Sequence, residues 1–273
     1  LHLYEGQSGK LITTILRPGR RPRGAEIVMI LKRVVAYLRQ AWPSVAIFLR
    51  GDSHFSAPEV HAFCEAEGVE FVLGQAGNAV LQRKAAELLA QAQALHRAAP
   101  AEQPASAPDE TIRLFTSFAY QADTWEKPQR VICKVEVSNQ GDNLRFVVTS
   151  LQSSQPSFIY RTIYCARGRM ENYIKDHKTF LLSDRTSCQS WEANQFRLFL
   201  HSAAYVLLQT LEEIGLAHTQ WMQAQFNTLQ RRLLKVGARV DELKTKIIFH
   251  LPTSFPLKEL FHKILFQLHT AYP

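Results

Sequence analysis

The chain has 273 residues, of which 46% are hydrophobic, and it carries a net charge of +8 at neutral pH. Such a length and apolar content allow one large domain or two small ones with a proper core. The positive balance favours an anionic partner, nucleic acid first, and with no run of about 18 apolar residues no membrane span is expected.

The charge is uneven. Residues 1–50 hold nine Lys or Arg against Glu5 and Glu26, and Arg17, Arg20, Arg21 and Arg23 crowd one Pro/Gly-rich loop. A second cluster comprises Arg231, Arg232, Lys235, Arg239, Lys244 and Lys246. It reads equally as a solvated face or a backbone-binding surface. The four cysteines form no CxxC pair and no zinc-spaced set with His, so they read as reduced, mostly buried cytosolic thiols. No secretory leader is visible.

In chain order, residues 1–4 and 10–16 are apolar runs around Glu5-Gly6-Gln7-Ser8-Gly9, the pattern of a hairpin. Ile27, Ile30, Leu31, Val34 and Leu38 recur at helical spacing, so an amphipathic helix is predicted over 24–41, closed by Pro43. Residues 45–49 form a continuous apolar run, the mark of a strand buried on both faces, leading into Arg50-Gly51-Asp52-Ser53. Ser56 is positioned to cap the next helix, with Pro58 in its first turn and Gly68 at its end. A strand over 69–73 completes a βαβ unit, hence an α/β core with parallel pairing. Gly74-x-x-Gly77 is too short to cradle a phosphate and reads as a turn.

Residues 79–99 are helical, and 100–108 form a Pro/Ala-rich linker. Three β-like runs at 111–120, 129–138 and 144–151, with Gly141-Asp142-Asn143 as a turn, suggest an inserted antiparallel meander. Helices follow over 157–181, 191–213 and 219–235, then a strand near 238–250 and a helix near 256–271. The division expected is 1–78 as the first part of the core, 79–156 as a helical and β-strand insertion, and 157–273 as the second part with a C-terminal helical region.

The helix over 157–178 carries Tyr164-x2-Arg167-x3-Glu171-x6-Lys178. At roughly 100° per residue these four share a stripe roughly 60° wide, with Lys175 beside it. The stripe borders an apolar face of Ile159, Ile163, Met170 and Ile174, which predicts a half-covered Glu171 held among cations. The alternative is a surface helix laced by Arg167, Glu171 and Lys175 at i,i+4 spacing. Gly168 inside it either admits a close neighbour or marks a kink.

These residues resemble the Y-R-E-K signature of DDE transposases from bacterial insertion sequences, in the subgroup with a β-strand insertion in the catalytic core. The resemblance extends to Leu16-Arg17-Pro18-Gly19, Leu49-Arg50-Gly51-Asp52-Ser53, Tyr164-Cys165-Ala166-Arg167-Gly168, Asp184-Arg185-Thr186-Ser187-Cys188 and Leu234-Lys235-Val236-Gly237-Ala238-Arg239, nearly the whole chain. It implies an α/β, ribonuclease H-like core with an inserted antiparallel β subdomain and C-terminal helices. Asp52 matches the second acidic residue and Glu171 the third, both as catalytic residues and as ligands of Mg2+ or Mn2+. The hairpin 1–16 matches strands two and three. The first strand and its Asp are expected ahead of Leu1, so the fragment is expected to be N-terminally truncated and inactive alone; no Asp precedes Asp52.

The resemblance further implies that Tyr164, Arg167, Lys178, Lys175, Arg50, Arg17 and Arg21 contact DNA at transposon terminal inverted repeats. It implies a homodimer in a bacterial, cytoplasmic, nucleoid-associated setting, with no membrane. Trp125 either stacks on an extruded base or is a core or sheet-face aromatic. His54, where a small residue is usual, is either a surface His or a contact to metal or DNA. A non-catalytic DNA-binding remnant that competes with intact transposase is the alternative, and a ribonuclease H-like nuclease unrelated to transposition a third. No GxSxG, P-loop, HExxH or dinucleotide fingerprint is present.

Overall fold

The computed structural model describes residues 1–98, 111–222 and 224–271, so the linker expected at 100–108 lies outside the described residues. The chain divides into two compact units, one of Leu1–Pro18 with Gly168–Pro273 and one of Gly19–Arg167.

The Gly19–Arg167 unit is built on a mixed five-stranded sheet. Its elements are α1 (Gly24–Ala41), β3 (Ile47–Gly51), α2 (Pro58–Ala66), β4 (Val69–Gln75), α3 (Ala79–Ala98), β5 (Ile112–Tyr120), β6 (Gln129–Ser138) and β7 (Gly141–Thr149). The strand order is β3-β4-β7-β6-β5. β3 and β4 pair in parallel, as the βαβ reading required, and the other neighbours are antiparallel. The three later strands form the expected meander, and β7 attaches to β4, so they extend the same sheet. Their tight turn falls at residues 139–140, two residues earlier than expected, because Ser138 pairs with Gly141. Gly141 takes a φ of 114°, which a side chain resists.

Period-two alternation divides the sheet residues between two faces. Phe71, Leu73, Val131, Cys133, Val135, Phe146 and Val148 point to one face, where Ile27, Leu31 and Val35 of α1, Val60 and Cys64 of α2, and Leu81 and Ala85 of α3 cover them. Val72, Ile132 and Val147 point to the other, against Ile159 and Tyr160, with Ile163 and Tyr164 partly buried beside them. Each fully buried Val, Leu, Ile or Phe contributes about 1.5–3 kcal/mol of transfer free energy. β3 is an edge strand and is not buried on both faces: Phe48 and Val45 remain exposed. α2 begins after Ala57, with Pro58 in its first turn and no side-chain cap. Ser56 instead donates to Gln75 Oε1 at 2.6 Å. Gly68 closes α2 with a φ of 62°.

In the other unit, β1 (His2–Tyr4) and β2 (Leu11–Thr14) pair antiparallel as a separate two-stranded sheet. They form the hairpin expected at 1–16. α5 (Gly168–Lys175) and α6 (Trp191–Thr210) follow, and Tyr4 packs with Tyr173, Tyr205 and Phe226. α6 is tied to β2 by Gln195, whose Oε1 accepts the Leu16 N–H at 2.7 Å. The helix expected over 219–235 starts only at α7 (Phe226–Leu229), continuing as wider π turns over Gln230–Leu234. The strand near 238–250 is a hairpin of β8 (Arg239–Glu242) and β9 (Ile247–His250), and α8 (Lys258–Ala271) closes the unit. No helix among the described residues is long and apolar enough to cross a membrane.

Candidate active site

The end of β3 delivers Asp52 to a turn. Its carboxylate accepts the His54 backbone N–H at 3.0 Å, a local Asx closure, and lies 3.3 Å from the His54 ring Nδ1. The Asp52 side chain keeps 43% of its surface exposed, so its oxygens face solvent as well as His54. The next peptide is also held: Arg21 Nη2 donates to Ser53 O at 3.1 Å, and the Phe55 N–H to Asp52 O at 3.1 Å. Arg21 therefore reaches the acidic turn from the Arg-rich loop, while Arg20 is engaged with Glu26 at the start of α1.

Tyr164 comes to the same place from the opposite end of the sequence. Residues 156–167 run as a short turn α4 (Pro156–Phe158), π turns over Ile159–Tyr164 and a 3-10 turn over Cys165–Arg167. Ile159 and Tyr160 anchor this segment on the Val72 face of the sheet. Arg50, expected to contact DNA, is partly buried, and its Nη1 donates to Ile163 O at 3.2 Å, binding the end of β3 to the residue before Tyr164. The Tyr164 hydroxyl stands 2.7 Å from the point a Cβ on Gly74 would occupy, and Ser53 N stands 3.0 Å from that point. Arg167 lies over the Tyr164 ring, 6.0 Å from its centroid. Asp52, Ser53, Arg21, Arg50, Tyr164 and Arg167 thus gather within one unit. Gly74, read from sequence as a turn, is a buried residue inside β4.

In the other unit, α5 and π turns over Asp176–Phe180 carry Glu171, Lys175 and Lys178. All three side chains are exposed, which corrects the half-covered Glu171 expected from the helical wheel. The wheel assumed a uniform 100° step, and the mixed α, π and 3-10 winding between Pro156 and Phe180 does not keep it. Gly168 marks one of these changes in winding, and among the described residues a Cβ added there would meet nothing within 4 Å. Lys175 lies over the Phe180 ring at 5.7 Å. Arg17 is half-buried at the end of the hairpin segment.

Buried chemistry in this unit was not read from the sequence. His177 is fully buried, with Nδ1 2.6 Å from Ser183 Oγ and Nε2 3.2 Å from Ser202 Oγ. Ser202 donates to Leu198 O, so it accepts from His177 Nε2–H, and Ser183 donates to Nδ1; the ring is neutral. Burial holds its pKa down at about 4. Burial pushes Asp176 up to about 6 and, with Asp176 as a second cause, Glu212 up to about 8. A single His paired with serines six and 25 residues along the chain leaves no periodic signal in the sequence.

Trp125 packs edge-on to His61 and Tyr120 and is 8% exposed, a core residue with no open face for stacking. Cys64 and Cys133 are buried, their thiols pushed up to about 12 and about 11, whereas Cys165 is exposed and Cys188 half-buried. Asp52 and Glu171 offer hard carboxylate oxygens of the kind Mg2+ takes. Among the described residues, however, no three His, Cys, Asp or Glu side chains gather closely enough to hold a metal ion.

The comparison with protein families agrees with the family resemblance. The family described as Transposase DDE domain group 1 matches residues 1–272, essentially the whole chain. No curated protein matches it. Its mixed five-stranded α/β sheet accords with that assignment, and the chain belongs to the DDE transposase family.

Proposed function

We propose that these residues form a ribonuclease H-like catalytic core of an insertion-sequence transposase, acting on the phosphodiester backbone at terminal inverted repeats as a homodimer. Asp52 and Glu171 are the catalytic carboxylates. Tyr164 and Arg167 hold phosphate near Asp52, and Lys178, Lys175, Arg21 and Arg17 add cationic contacts along the backbone. The observation that carries this reading is the convergence, within one unit, of Asp52 with Arg21, Tyr164 and Arg167 at the ends of β3 and β4. Such contacts position a strand without reading its sequence.

The family uses divalent metal ions, which stabilise the attacking and leaving oxygens of phosphoryl transfer. Asp52 and Glu171 supply two of the carboxylates for that chemistry, and no Asp stands before Asp52 in the chain. On its own the chain therefore binds duplex DNA and cuts it little. The second reading is a non-catalytic DNA-binding protein that competes with intact transposase at element ends.

Binding and nicking assays on labelled duplex DNA with Mg2+ or Mn2+ test both. Salt-sensitive binding is expected, and Arg167→Ala and Lys178→Ala should each weaken it and reduce the salt slope by about one. Robust cleavage that disappears in Asp52→Asn would overturn the inactivity of the isolated chain. An absence of binding at low salt would overturn the DNA reading itself.

A further inference from the structure

We infer that Gly74 is a positioning residue: its missing side chain is the space that seats the Tyr164 hydroxyl against the Asp52–Ser53 peptide. Gly74 lies inside β4, opposite Val147 of β7, and is buried. Two residues from Val72, it faces the same side of the sheet, where the π segment carrying Ile159, Tyr160 and Tyr164 packs. A Cβ at position 74 would stand 2.7 Å from the Tyr164 hydroxyl, 3.0 Å from Ser53 N and 3.3 Å from Asp52 C. Contacts below 3.0 Å force a shift, so Ala at 74 must displace the phenol or the backbone of the acidic turn.

Neither neighbour moves freely. The Asp52–Ser53 peptide is held by the Phe55 N–H on Asp52 O, and the peptide after it by Arg21 on Ser53 O. The Tyr164 side is held by Arg50 on Ile163 O and by the Tyr160 ring, 5.5 Å away between centroids. Glycine inside a strand costs about 0.5–1 kcal/mol against Ala, and it belongs where another group approaches closely. Here that group is the hydroxyl of a signature residue. The consequence for catalysis rests on the proposed role of Tyr164 as a phosphate contact beside Asp52.

Gly74→Ala, Tyr164→Phe and the double variant, each made in the full chain, test this by thermal denaturation and by titration of a short labelled DNA duplex. Gly74→Ala should lower the melting temperature by several degrees, and by less than half as much when Tyr164→Phe has removed the opposing hydroxyl. If Gly74→Ala alone fails to fold, recovery of folding in the double variant supports the assignment equally. Gly74→Ala should also weaken duplex binding about as much as Tyr164→Phe does, roughly tenfold for one hydrogen bond to a charged phosphate, with no further loss in the double variant. Equal melting losses in both backgrounds, failure of both variants to fold, or unchanged DNA affinity in Gly74→Ala beside a weakened Tyr164→Phe would overturn it. If Tyr164→Phe leaves DNA affinity unchanged, the phosphate role of Tyr164 fails, and the melting comparison still decides whether Gly74 seats its hydroxyl.

Discussion

His177 joins three parts of its unit through hydroxyls: Ser183 beyond the π turns, Ser202 on α6 and, through Ser202, Thr14 on β2 at 2.6 Å. It therefore fixes the segment that bears Lys178. Burial, with His201 and Lys178 nearby, lowers its pKa from 6.5 to about 4 in the folded chain. Between those values the unfolded chain binds more protons, so the contribution is present above about pH 6.5 and is lost as pH falls toward 4. The full linkage is at most about 3 kcal/mol. Asp176 and Glu212 act in the opposite sense. Their raised folded values favour the protonated form, a contribution lost as pH rises through about 6 and about 8. Comparison of melting temperature against pH for the wild type and His177→Gln isolates the histidine. The variant should be less stable at pH 7 and should lose less on acidification to pH 4.5; identical slopes would show that His177 is not the sensor.

At the scale of elements, the segment leading to Tyr164 depends on Arg130 of β6. Its guanidinium donates to Leu151 O at 2.9 Å, Gln152 O at 2.8 Å and Ser154 O at 2.9 Å, and to Ser117 Oγ on β5 at 3.3 Å. A planar fork suits several carbonyls at once, and a lysine does not replace it. Arg130→Ala should cost about 2–4 kcal/mol in denaturant unfolding and speed amide exchange over 151–160, with Arg130→Lys recovering little. Losses confined to stability, with unchanged exchange in that segment, would contradict the anchoring role. The β elements themselves were legible because alternation is local: Val131, Cys133 and Val135 on one face and Ile132 on the other already state a strand. The π and 3-10 turns between Ile159 and Phe180 were not, since their residues spell an ordinary amphipathic helix and the wider winding is a property of packing.

For the molecule as a whole, the two units rest on different amounts of buried structure. The Gly19–Arg167 unit has apolar layers on both faces of its sheet, whereas β8 and β9 form a lone two-stranded ribbon with Val240, Ile247 and Phe249 exposed. Two-stranded ribbons are marginal alone, so amide exchange should be slowest in β4, β6 and β7 and fastest, among strands, in β8 and β9. Protection in β8 and β9 equal to that in β6 would contradict this. The sequence by itself determined the βαβ unit, the meander and the long helices. These are written in local periodicity, whereas the set of Asp52, Tyr164, Arg167, Glu171 and Lys178 stood out only through its resemblance to a family signature. Only the tertiary structure decided that the hairpin at 1–16 forms its own sheet, that Trp125 belongs to a core, and that Gly74 lies between Tyr164 and the Asp52–Ser53 peptide. The physical reason is distance along the chain: Gly74 meets a tyrosine 90 residues later, and a missing side chain leaves no pattern from which to infer what fills its space.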